Sequence, residues 1–194
     1  MRGRTSIPLP HGAARRVRVA KGIAVVLVAL GFSALAGLVA VPSPASALTP
    51  HAPIVINGNA EFTGANGVTG GSGTPSDPFI LEGWEIDGSA NSGIEVYNTD
   101  AHFVIRDVYV HSSLIDAIYF YSVQNGTVEN ATVSGNDGAL YIQVSSYVTV
   151  TSSNISFNGL DAVVLDWSSN ITVEGTRCGA TGTGASSPTS RTTW

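Results

Sequence analysis

Residues 79–87, FILEGWEID, return at 103–111 as FVIRDVYVH, at 126–134 as GTVENATVS, at 148–156 as VTVTSSNIS and at 171–179 as ITVEGTRCG. Leu81, Ile105, Val128, Val150 and Val173 are successive counterparts, 24, 23, 22 and 23 residues apart. Ile86, Val110, Val133, Ile155 and Cys178 keep the same rhythm five residues further on. A third series is made of pairs: Ile94/Val96, Ile118/Phe120, Leu140/Ile142 and Val163/Leu165. The members of each pair are separated by one residue, as side chains on one face of a strand must be. A period of 22–24 residues built from short alternating segments and turns predicts an all-β solenoid, a parallel β-helix of about four to five coils over residues 79–178. Amphipathic helices are the rival, and the period-2 spacing with abundant Val, Thr, Ser, Asn and Gly argues against them.

The chain outside the repeat divides by composition. Residues 1–47 have the form of a signal peptide or an N-terminal membrane anchor: a basic stretch ending at Lys21, an apolar run from Gly22 to Val41, then Pro42, Pro44 and the small residues Ala45-Ser46-Ala47. The run is long enough to span a bilayer, so cleavage and retention as an apolar helix are both open, with membrane contact only through residues 22–41. Either way the remainder is expected outside: extracellular, at the cell surface or periplasmic. Residues 48–78 are expected to cap the first coil, because a solenoid end exposes unpaired backbone and apolar side chains. Residues 179–194 form a Gly/Ser/Thr tract that reads as disordered, and the missing next strand suggests a truncated end or end-to-end self-association.

Charge narrows the partners. Six of the nine basic residues lie in the first 21 positions, whereas all fourteen acidic residues lie at or after Glu61. Beyond the leader, three arginines face fourteen carboxylates, a net −11. Such a surface repels phosphate backbones and excludes nucleic acid as a partner class. The lone Cys178 rules out an internal disulfide framework, and its inward position in the repeat makes it a buried small hydrophobe.

Outward positions form columns too. Glu82, Arg106, Glu129, Thr151 and Glu174 align, placing Arg106 between two carboxylates as a register-fixing ladder. Asp116, Asp137 and Asp161 recur before the third strand of successive coils and could build a Ca2+ ladder, although turns also favour aspartate on their own account. Glu95, Tyr119, Tyr141 and Val164 form one row, with Tyr97, Tyr121, Gln143 and Asp166 beside it. Four tyrosines bordered by Glu95, Gln143 and Asp166 could offer a platform for sugar rings, or could simply strengthen strand pairing. Asn125, Asn130, Asn154 and Asn170 each head an N-x-S/T glycosylation sequon.

The runs PFILEGWEIDG, GIEVYNTDAHFVIRDV and SSYVTVTSSNISFN resemble those of secreted right-handed parallel β-helix proteins of the NosD-like, or carbohydrate-binding and sugar hydrolase, type. The resemblance covers roughly residues 54–178. It implies a right-handed β-helix that meets carbohydrate, and the NosD-like label implies a periplasmic copper accessory. Copper needs clustered His, Met or Cys, and beyond the leader the chain offers His51, His102, His111 and Cys178. Asn98-Thr99-Asp100 matches one element of the β-helix polygalacturonases, whose other elements are missing. If the chain is a polysaccharide hydrolase or lyase, Asp100, Asp107 and Asp87 are the candidate carboxylates. The leading expectation is a non-catalytic module that binds a glycan or envelope polymer, or acts as a scaffold, with no cofactor and no metal site.

Overall fold

The computed structural model describes residues 47–179 and the backbone of Thr192–Thr193. The chain divides into Met1–Pro42 and Ser43–Trp194, and the solenoid belongs to the second unit. The apolar segment 22–41 and its reading as signal or anchor lie outside the described residues, as does most of the tail. No helix among the described residues is long and apolar enough to cross a membrane.

Three parallel sheets enclose one core. The first contains Phe79–Glu82, Phe103–Arg106, Gly126–Glu129, Thr149–Thr151 and Thr172–Glu174. The second contains Thr49–His51, Trp84–Asp87, Tyr109–His111, Thr132–Ser134, Asn154–Ser156 and Arg177–Cys178. The third contains Ile54–Asn57, Ile94–Thr99, Asp116–Val123, Gly138–Gln143 and Val163–Asp166. Each coil visits the sheets in that order, so each strand pairs with its equivalent one repeat away. Leu81 lies opposite Ile105, Ile105 opposite Val128, Val128 opposite Val150, and Val150 opposite Val173. The Ile86 and Ile94 series stack in the same way. The inward columns become continuous ridges of Ile, Leu, Val and Phe, nearly all fully buried. Each large aliphatic removed from water stabilises the fold by about 1.5–3 kcal/mol.

The corners follow from backbone chemistry. Between the first and second sheets, Gly83, Asp107, Asn130, Ser152 and Gly175 all take positive φ, between 48° and 78°. One left-handed residue per coil turns the chain, and Gly, Asn and Asp adopt that conformation at least cost. Hydroxyls also replace backbone partners where the core column turns polar. Ser153, buried, accepts from the Ala131 N–H at 3.1 Å and donates to the Thr151 carbonyl at 2.9 Å.

Regular pairing begins before residue 79. Thr49–His51 and Ile54–Asn57 already pair in parallel with Trp84–Asp87 and Ile94–Thr99, so residues 48–57 form part of a preceding coil. Residues 58–70 then cap the end. Val68–Gly70 pairs antiparallel with Phe79–Glu82 and closes the first sheet. Phe62, buried, stacks on Phe79 with centroids 4.7 Å apart and leans on Phe103 at 5.3 Å. Trp84 is half-buried rather than a core residue, because it meets this cap: its indole N–H donates to the Gly67 carbonyl at 2.8 Å.

The other end differs. Thr192–Thr193, within the tract expected to be disordered, pairs antiparallel with Thr172–Val173. Cys178 is half-buried, not buried, because among the described residues no strand of the second sheet stacks beyond it. Burial nonetheless raises its thiol above the ordinary value, which disfavours the reactive thiolate.

Candidate functional site

The third sheet carries the tyrosines, and its pairing builds the outward rows expected from the repeat. Glu95, Tyr119, Tyr141 and Val164 are successive register partners, as are Tyr97, Tyr121, Gln143 and Asp166. The rings are not coplanar. Tyr119 and Tyr141 lie 5.5 Å apart and tilted by 38°, while Tyr97 meets Tyr119 edge-on at 5.7 Å. These three are half-buried against one another, and Tyr121 is the exposed member of the four.

Polar groups fix the rings. The Tyr97 hydroxyl donates to Glu95 Oε2 at 2.8 Å, and that of Tyr119 donates to Gln143 Oε1 at 2.7 Å. Gln143 Nε2 donates in turn to Asp166 Oδ2 at 2.8 Å, and Tyr141 donates to the same oxygen at 3.3 Å. Burial, then the bond to Glu95 and its charge, raises the Tyr97 phenol well above the usual range. Tyr119 and Tyr141 are raised as well, chiefly by desolvation. All three therefore remain neutral donors at physiological pH.

The two strands that carry Tyr97 and Tyr121 run directly into a polar cleft of about 540 Å3, lined by Asn59, Asn98, Thr99, Asp100, Ser122 and Gln124. Asn59 comes from the cap. It donates to Asp100 Oδ1 at 2.8 Å and accepts from the Thr99 hydroxyl at 2.6 Å, while Asn98 donates to Asn57 Oδ1 at 2.9 Å. The cleft is thus walled by amides and hydroxyls with Asp100 as its single carboxylate, and it adjoins the tyrosine face. Of its lining, the sequence singled out Asn98, Thr99 and Asp100, the last as a candidate carboxylate, and missed Asn59, Ser122 and Gln124.

Residues 55–191 match the family model described as a right-handed β-helix region. The chain belongs to that family. No curated protein and no solved structure matches it.

In this right-handed β-helix the remaining candidate residues fall at separate places. Asp100 lines the cleft after the third sheet. Asp107 is the left-handed corner residue after the first sheet, φ 52°, and accepts from Asn130 Nδ2 at 2.5 Å. Asp87 ends a strand of the second sheet opposite His111 and is lowered by hydrogen bonds from Ser89. The three carboxylates thus lie at three different corners of the coil.

The aspartate column is broken. Gly138, not Asp137, is the register partner of Asp116, because Asp137 stands three residues before its strand's first core position instead of two. No group of three or more His, Cys, Asp or Glu suited to a metal occurs among the described residues. Arg106 has the geometry of the ladder: Nε lies 2.6 Å from Glu82 and Nη1 3.7 Å from Glu129. Its contribution is small, about 0–1 kcal/mol for an exposed pair. Of the sequon asparagines, Asn130, Asn154 and Asn170 are exposed, and Asn125 is half-buried with its amide donating to the Asp100 carbonyl at 3.0 Å.

Asp116 itself supplies a pH test. Burial first, then the Glu95 charge, raises its carboxyl above the ordinary 3.8. The folded protein holds this proton to higher pH than the unfolded chain does. Its favourable contribution is present below pH 3.8 and is lost as pH rises through the folded pKa, leaving a cost at neutrality. Asp116→Asn should therefore raise Tm at pH 7 and converge with wild type under strongly acid conditions. A lower Tm at pH 7 in thermal scans would contradict this.

Proposed function

We propose that this chain is an exported, non-catalytic β-helix module that binds a glycan of the cell envelope or surroundings on its third sheet. One observation carries the reading. The exposed Tyr121 is in register with Tyr97 and Gln143 and immediately precedes Ser122, which lines the amide-walled cleft, so an apolar sugar face and its hydroxyls would meet complementary groups together. The export reading rests on the basic-then-apolar leader and the small residues at 45–47.

Tyr121 gives the cleanest test, because its ring is exposed whereas Tyr119 and Tyr141 lean on each other. Tyr121→Ala should weaken binding in polysaccharide affinity electrophoresis or calorimetry by about 2- to 10-fold, the value of one aromatic contact, and leave Tm nearly unchanged. Tyr119→Ala should instead lower Tm. Equal binding by wild type and Tyr121→Ala would remove the face from consideration, and release of reducing ends or unsaturated products would overturn the non-catalytic reading.

A further inference from the structure

We infer that the ligand of this face is an uncharged glycan, one whose rings carry hydroxyl or N-acetyl groups, and that polyuronates are refused. The inference rests on the glycan-binding reading and adds the substrate class. No Lys, Arg or His occurs in any strand of the third sheet, which bears Glu95, Asp116 and Asp166. The surrounding charge has the same sign. Across residues 47–179, Arg106 and Arg177 stand against fourteen carboxylates, a net −12. Arg106 is held by Glu82 on the first sheet, and Arg177 lies on the second. A uronate carboxylate brought to the tyrosines would therefore meet repulsion, with no guanidinium or ammonium in the described strands of that sheet to pair with.

The same carboxylates are partly engaged within the face, which limits their grip on an amino sugar. Glu95 Oε2 already accepts the Tyr97 hydroxyl, and Asp166 Oδ2 accepts from both Tyr141 and Gln143. One oxygen of each is committed to holding the platform. What the exposed edge offers a ligand is the Tyr121 ring together with Asn98, Ser122 and Gln124, and Asp100, whose Oδ1 already accepts from Asn59, adds one further negative charge there. Amides and hydroxyls beside an aromatic face match a neutral sugar: the ring takes the C–H face, and the amides donate to and accept from hydroxyl or acetamido groups.

The full chain should be titrated with four probes: a neutral β-glucan oligosaccharide, an N-acetylated chito-oligosaccharide, its deacetylated cationic form, and oligogalacturonate. These titrations are run at low and at moderate salt, with wild type, Tyr121→Ala and the double variant Glu95→Gln/Asp166→Asn. Both substituted residues can still accept the platform hydrogen bonds. The expected result is salt-insensitive binding of a neutral probe, weakened by Tyr121→Ala, with oligogalacturonate at least about tenfold weaker, equivalent to about 1.4 kcal/mol. Removing the two charges should narrow that gap. Oligogalacturonate binding as tightly as neutral probes, or a cationic probe binding alone and dissociating with salt, would overturn the inference; if Tyr121→Ala abolished that binding, the glycan-face reading would survive. If no probe binds, or Tyr121→Ala changes nothing, the underlying reading falls.

Discussion

Phe103→Ala should be the most damaging single core substitution in the chain, lowering unfolding free energy by about 3–5 kcal/mol in urea titrations. Phe103 is 1% exposed and packs between the cap ring of Phe62 and the core ring of Phe120, which it meets edge-on at 5.5 Å. Its ring also occupies the space above Gly126. A Cβ built on Gly126 would stand 2.7 Å from the Phe103 Cζ, closer than real contacts allow. Phe103 has little room to yield, since it is itself wedged between two aromatics. Gly126→Ala alone should therefore cost about 1–3 kcal/mol through overpacking. In the Phe103→Ala background the same methyl enters a cavity, and its cost should vanish or reverse. A double-mutant cycle should return a coupling of about 1 kcal/mol or more, and strict additivity would show that the ring does not lie over Gly126.

Asn136→Ala should cost nearly as much, about 3–5 kcal/mol, for a polar reason. Asn136 is 4% exposed and sits with Asn158, 2% exposed, at a buried corner after the second sheet. Its Oδ1 accepts from the Ser113 N–H at 2.9 Å, and its Nδ2 donates to the Val110 carbonyl at 3.1 Å and to Asn158 Oδ1 at 3.0 Å. Asn158 repeats the pattern one coil on, accepting from the Asn136 N–H and donating to the Val133 carbonyl. Truncation strands at least two backbone groups away from water, each at about 1–3 kcal/mol. Asn136→Asp should be worse, since a carboxylate cannot donate to Val110 and carries charge into the core. Asn154→Ala, at an exposed position, should stay within about 0.5 kcal/mol of wild type. An Asn136→Ala protein as stable as Asn154→Ala would show that water reaches this corner. The ladder stops at Ser113, whose hydroxyl is buried without a partner and lies where a side chain on Gly88 would have to stand.

The parts of this architecture that the sequence displays are those set by period alone. Because alternate residues share a face and equivalent residues stack, a constant spacing of 22–24 residues was enough to place Leu81 under Ile105 and Arg106 between Glu82 and Glu129. Asn136 and Asn158 obey the same spacing and could have been recognised as paired amides beside the inward columns. Features that depend on one extra residue or on a non-periodic path were hidden. Asp137 looks like a partner of Asp116 until its strand starts one position late, with Gly138 in register instead. The cleft needed Asn59, which arrives through a cap with no repeat to reveal its course. Tyrosine ring tilt was equally invisible, since it is decided by hydroxyl bonds to Glu95, Gln143 and Asp166 rather than by strand register.

Glycan binding on the third sheet can be mapped by a residue-resolved NMR titration of the isotope-labelled protein with a neutral oligosaccharide. The expected shift changes gather at Tyr121, Ser122, Gln124 and Asn98 and spread weakly to Tyr97. Changes centred instead on Glu85, Tyr109 and His111 of the second sheet, or none at saturating ligand, would contradict it.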